Sequence, residues 1–431
     1  MLSVAQIRRL IADFQERWVP DFVKRELKVD LLQGKIASIY GPRRAGKTYL
    51  LYQLAESAHR AGLPRQAILY VNFEDERILP AQAADLGRLA DFFATTLPDD
   101  TNGNIPLLLL DEVQNVADWP VVLRRLADSG HFRIVVTGSS SKVLGKELSS
   151  RLRGRCLTYE LLPFSYRELA LCKELDLQGA SGHNRIMLTE LLRKHLQWGG
   201  YPEVWLRADS DRLRNKLLQD YFYMTFYRDL IDRHGISNTP LLKMLLKYMA
   251  ANAGNLFSVN SFFRHLRASG VKVSKDSLYR YLDHAEEALL YFSVPVYSRS
   301  IKEQTVNPRK FYCVDAGLRN SISPSGHSDL GRMLEHVVYL DLRRRGYEVC
   351  YWKGAVECDF VASRDGEPRH VIQVAYDIST PEVLAREMAG LAAASKALPS
   401  AQPVLVVGEF GLPAHQVPSQ MLTAIDWLAQ Q

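Results

Sequence analysis

Over its first 160 residues the chain alternates short, almost unbroken apolar runs with stretches of helical period. Residues 35–40, 68–73, 106–110 and 132–136 read as buried strands, because a strand covered on both faces has no polar side to show. Residues 48–55 open an apolar pattern of helical spacing. Alternation of this kind predicts a doubly wound α/β parallel sheet. From about residue 240 the pattern changes to short helices. Residues 241–249 are amphipathic, and Ser258 and Ser274 stand as N-caps before the apolar positions of two more helices. Residues 289–294 then read as a strand leading into a wing, so three helices and a ribbon predict a winged helix-turn-helix. Beyond it Glu335 falls on a helix, and residues 347–352, 357–361 and 370–375 read as strands.

Chemistry enters at the first strand-to-helix junction. Gly41-Pro42-Arg43-Arg44-Ala45-Gly46-Lys47-Thr48 fills the pattern G-x-x-x-x-G-K-[ST], flanked by the strand and helix it requires. The glycines let successive N–H groups turn inward toward a phosphate at the helix N-terminus, where Tyr49 follows. Lys47 is expected to reach the β- and γ-phosphates of a nucleoside triphosphate, and Thr48 to ligate magnesium. The strand at 106–110 ends in Asp111-Glu112, at the carboxyl edge where open α/β sheets bind ligands. Asp111 is expected to hold magnesium and Glu112 to polarise the attacking water, the structural alternative being an acidic N-cap. Thr137-Gly138-Ser139-Ser140-Ser141 ends the next strand. Ser139, with Ser140 second, is the candidate to orient that water, against a plain Ser-rich turn. Glu74 and Asp75 either border the site or are surface charge. In the run Arg151-Leu152-Arg153-Gly154-Arg155, Arg153 and Arg155 are candidates for an arginine finger in a neighbouring subunit, with contact in cis or surface exposure as alternatives.

Composition narrows the class. At 431 residues the length suggests about two to four domains. Hydrophobic content of 47% with 24% charged residues is that of a soluble globular protein, and no run reaches the length of a membrane span. Residues 1–11 lack the apolar core of an export signal, and five scattered cysteines form no C-x-x-C pair. A reducing cytoplasmic location is expected. The net charge of +6 mildly favours an anionic partner such as nucleic acid.

The P-loop, Leu110-Asp111-Glu112-Val113-Gln114, Thr137-Gly138-Ser139-Ser140, Leu152-Arg153-Gly154-Arg155 and Trp198-Gly199-Gly200-Tyr201-Pro202-Glu203-Val204 occur in that order. Over nearly its whole length the chain resembles the archaeal-type AAA-like ATPases of archaea and bacteria, whose core precedes a C-terminal domain of unassigned function. The resemblance implies a P-loop ATPase core, a helical lid, a winged helix and a restriction-endonuclease-like domain, here drawn at residues 1–165, 166–235, 236–305 and 306–431. It also implies ATP rather than GTP. The order of Glu335, Asp359 and Gln373 resembles the PD-(D/E)xK nuclease core, but Ala375 stands where that pattern has its lysine. Alanine cannot activate a water, so cleavage is not expected; Lys353 is one substitute, and Arg344 one partner for the acids.

A DNA-binding winged helix would present Lys275, Ser277, Tyr279 and Arg280 to the major groove, though the same module also serves to pack domains. The leading expectation is a magnesium-dependent ATPase that forms a ring or other homo-oligomer and couples ATP binding and hydrolysis to DNA or other nucleic-acid binding or remodelling. An ATP-controlled assembly switch that recruits a protein partner is the rival, and an ATP-gated nuclease the third reading. The Gly199-Gly200 pair reads as a break between helices.

Overall fold

The computed structural model describes residues 2–98, 100–101, 103–139, 152, 154–178, 181–323, 330–409 and 420–430. Two compact units divide the chain, Met1–Leu162 and Pro163–Gln431.

The first unit is built on five parallel strands: β1 (Ile36–Tyr40), β2 (Ile68–Asn72), β3 (Leu107–Asp111), β4 (Arg133–Gly138) and β5 (Cys156–Glu160). Their order across the sheet is β2-β3-β4-β1-β5. The apolar runs split by parity, as a pleated strand demands. Leu108, Leu110, Ile134 and Val136 face one core with helices α1 (Val4–Arg17), α3 (Ala83–Thr95) and α4 (Trp119–Ser129). Leu107, Leu109, Val135 and Ile39 face the other with α2 (Lys47–Arg60). Two covered faces explain why these strands look continuously apolar. The edge strand β5 is only half-buried, so it lacks the apolar run that marks the other four.

Sheet order decides where the site lies. Because β4 runs between β1 and β3, the strand ends carrying the P-loop, Asp111 and Thr137 are neighbours.

The second unit begins with helices. Helix α5 (Gly182–Trp198) ends at Gly199, whose φ of 66° lies in the left-handed region. A Cβ on Gly199 would strike the Asp315 carboxylate, and one on Gly200 the Phe164 carbonyl. The glycine pair thus breaks the helix and admits close neighbours. Helix α6 (Asp211–Met224) runs directly into a π-helical stretch, Thr225–Asp232. Helices α7 (Thr239–Ala251), α8 (Val259–Ala268) and α9 (Lys275–Glu287) follow, and Ser258 and Ser274 accept N-cap bonds from Ser261 and Ser277. An antiparallel sheet in the order β6-β8-β7 stands with them, made of β6 (Leu256–Phe257), β7 (Tyr291–Val294) and β8 (Arg309–Cys313).

The last layer is a five-stranded mixed sheet of β9 (Glu348–Lys353), β10 (Glu357–Arg364), β11 (Glu367–Asp377), β12 (Gln402–Glu409) and β13 (Met421–Thr423), in sequential order. Helices α10 (Leu330–Arg344) and α11 (Pro381–Ala397) pack on its central strand β11. Among the described residues no helix is long and apolar enough to cross a membrane.

Candidate nucleotide site and other candidate residues

Backbone geometry comes first at the P-loop. Gly46, with φ 98°, occupies the left-handed N-cap of α2, a conformation without penalty only for glycine. A Cβ on Gly41 would collide with the carbonyl of Leu161, so the loop lies tight against the chain leaving β5. Lys47 is buried, and its ammonium donates to the carbonyls of Gly41 at 3.1 Å and Pro42 at 3.2 Å. It also lies 3.4 Å from a Glu112 carboxylate oxygen. Tyr49, one residue past Thr48, is exposed.

The Thr48 hydroxyl donates to Asp111 Oδ2 at 2.6 Å, and the Tyr70 hydroxyl to the same oxygen at 3.0 Å. Thr137 donates to Asp111 Oδ1, and its Oγ1 accepts the Glu112 backbone N–H at 3.0 Å. Thr137 stands in the same polar strand end as the serines that follow it, and no motif singles it out. Ser139 is 1% exposed, and its Oγ has no hydrogen-bond partner among the described residues. Ser140 and Arg153 lie outside the described residues.

Electrostatics separates the two acids. Burial pushes the Asp111 carboxyl up, and the neighbouring Glu112 charge pushes the same way. Glu112 feels burial too, but the Lys47 ammonium, the Gln114 amide and Arg43 outweigh it and leave its pKa lowered. Glu112 is therefore held as an anion, while Asp111 calls for positive charge. The side-by-side Thr48 hydroxyl and Asp111 carboxylate are hard oxygen donors of the kind magnesium takes. They fit that ion.

Several supports are invisible to motif reading. Buried Arg25, from the loop before β1, donates to the Ala45 carbonyl at 2.7 Å and the Leu162 carbonyl at 2.6 Å. Its guanidinium fork thus ties the P-loop to the end of the unit. Glu74 lies 3.4 Å from Arg43, so this acid does border the loop, whereas Asp75 pairs with Arg77.

Arg155 is placed elsewhere. It precedes β5, its carbonyl accepts from Ile36 at the start of β1, and its side chain pairs with Asp128. In a parallel sheet that is the edge opposite the P-loop, roughly 16 Å away along five residues of strand.

On α9, Lys275, Tyr279 and Arg280 are exposed, opposite buried Leu278, Tyr281 and Leu282. Ser277 is half-buried and hydrogen-bonded to the cap residue Ser274 at 2.8 Å.

The acids of the last layer do converge. Asp359 accepts from the Val374 N–H at 3.0 Å, its own N–H donates to Gln373 Oε1 at 3.3 Å, and Gln373 donates to Glu387 at 2.7 Å. The cation among them is Lys310 of β8, which sequence reasoning missed. Only 3% exposed, its ammonium lies 2.8 Å from Glu357, 3.1 Å from Glu335 and 3.4 Å from Asp359. Burial alone would lower its pKa, but the three carboxylates more than reverse that. The balance favours the charged ammonium. Lys353 is exposed, and Arg344 donates to the carbonyls of Pro163 and Phe164.

Residues 33–170 match the model of an AAA domain, and residues 189–329 that of a domain of unknown function, DUF8612. The chain is 34% identical over 363 residues to an uncharacterized protein of Methanocaldococcus jannaschii, covering 83% of this chain and 78% of that one. It is 30% identical over 345 residues to an uncharacterized protein of Haemophilus influenzae, with 80% and 83% covered. Among solved structures, the Aeropyrum pernix ORC1 protein in complex with DNA matches at 13% identity with a TM-score of 0.29, over 75% of this chain and 93% of that one. A score so low carries no argument.

Proposed function

From the premise that the chain belongs to one family with those archaeal and bacterial proteins, and carries its AAA domain, we propose that it is a magnesium-dependent ATPase. The convergence of Lys47, Thr48, Asp111, Glu112 and Thr137 on three adjacent strand ends carries this reading. Lys47 binds the β- and γ-phosphates, and Thr48 with Asp111 would hold the magnesium ion that neutralises triphosphate charge. Glu112, an anion buried beside Lys47, orients and polarises the attacking water. Ser139 supplies a hydroxyl toward the same water.

The rest of the proposal concerns assembly and output. The chain forms a homo-oligomer in which Arg155 reaches a neighbour's site, and hydrolysis changes its grip on DNA through α9. The separation of Arg155 from its own P-loop supports action in trans. Lys275, Tyr279 and Arg280 on the exposed face of α9 support the DNA reading. The last layer is a nuclease-like fold without cleavage activity. Lys310 supports this, since its ammonium sits among the carboxylates where a divalent ion would otherwise be held.

The deciding experiment measures phosphate release and particle size with duplex, single-stranded and branched DNA at low salt. Glu112→Gln is expected to bind ATP and lose at least about 100-fold in turnover, and Lys47→Ala to lose both. Wild-type hydrolysis that no DNA stimulates, with no DNA bound, overturns the DNA reading and favours the assembly switch. Equal turnover in wild type and Glu112→Gln overturns the assignment of the base.

A further inference from the structure

We infer that His234, His284 and Glu287 form a binding site for a borderline divalent transition metal, of which zinc is the representative, independent of the ATPase reading. The ligating atoms of the three side chains all lie within 4.8 Å of one another. His284 and Glu287 are three residues apart on α9, so they project from one face of it. His234 comes from the helical turn after the π-helical stretch, which Gly235 ends with a φ of 60°. Two elements distant in sequence are thus joined by their ligands.

The arrangement is that of a ligand set. The two imidazoles stack with centroids 3.7 Å apart and planes 15° from parallel. A Glu287 oxygen lies 4.0 Å from His234 Nε2, and both side chains are only 13% exposed. The adjacent Glu286 is engaged differently, accepting the Ser293 N–H at 2.7 Å. Two imidazole nitrogens and one carboxylate oxygen suit zinc, nickel or cobalt better than magnesium or calcium. A zinc ion held by these three side chains would have ligand distances of about 2.0–2.2 Å and a fourth position for water.

The consequence is mechanical. A metal here would fix the C-terminal end of α9 to the end of the long helix that begins at Asp211. It would set the presentation of Lys275, Tyr279 and Arg280 without touching them.

The test is a titration of the full-length protein with zinc, in excess magnesium, followed by competition with a chromophoric chelator. Cobalt spectra report ligand type. The expected result is one equivalent bound, cobalt bands without thiolate charge transfer, and an affinity at least tenfold weaker in His284→Ala and Glu287→Gln. Glu287→Asp is expected to recover part of it. A wild-type circular dichroism spectrum and a cooperative thermal unfolding transition show that a variant folds, and should the histidine variants not fold, the nearly isosteric Glu287→Gln decides alone. No bound zinc, equal binding by folded wild type and variants, or thiolate bands overturn the inference.

Discussion

Two side chains at the nucleotide site carry separable predictions. Ser139, two residues beyond Thr137, has a buried hydroxyl with no partner among the described residues. If it orients water, Ser139→Ala lowers kcat by about 100-fold, the scale of one lost oriented donor, while nucleotide affinity measured by equilibrium binding stays unchanged. Arg25 acts on the frame instead. Its two bonds to buried carbonyls make Arg25→Met cost about 3 kcal/mol, read by denaturant unfolding, with Arg25→Lys recovering little because an ammonium lacks the fork. Lys47, Thr48 and Asp111 were legible in the sequence because their chemistry is compressed into two short motifs. Arg25 and Lys310 were not, since a lone basic residue in a polar stretch reads as surface until a distant segment closes over it.

Elements were legible where one periodicity dominated. β1 to β4 stood out as apolar runs, and α8 and α9 were announced by Ser258 and Ser274. β8 was not singled out, although its end carries the acid cluster's cation. It is the central strand of the antiparallel sheet, yet Lys310 interrupts its apolar pattern and turns to Glu335, Glu357 and Asp359. One strand therefore serves both the ribbon and the acid cluster. Removing one partner of a buried ion pair strands the others, so Lys310→Met is expected to destabilise the protein by about 3–5 kcal/mol. Thermal unfolding at neutral pH checks it, and a variant as stable as wild type contradicts the picture.

Stability of the molecule should depend on pH through groups folded in the wrong protonation state for water. Burial lowers His336 to about 3, and His195 likewise to about 3. A histidine with a depressed folded pKa contributes stability that is present above its unfolded value, near 6.5, and lost as pH falls. Asp315 and Asp341, raised to about 6 by burial, act with opposite sign, so a difference measurement isolates the histidine. Relative to His336→Leu, wild type is expected to lose stability as pH falls through 6.5, at a slope that approaches about 1.4 kcal/mol per pH unit by pH 5, measured by urea unfolding. Sequence reading gave the α/β class of the first unit through its alternating pattern and left β5 unnamed, because this half-buried edge strand carries no apolar run. That strand has a consequence in time. β1 lies between β4 and β5, Leu161 donates to Tyr40, and the P-loop packs against Leu161 itself. The motif at residues 41–48 leaves the ribosome early, but its cradle must wait for more than a hundred later residues, a non-local closure of the slow kind. During synthesis, the ability to hold a phosphate would arrive last, as a signature that the whole unit has been made.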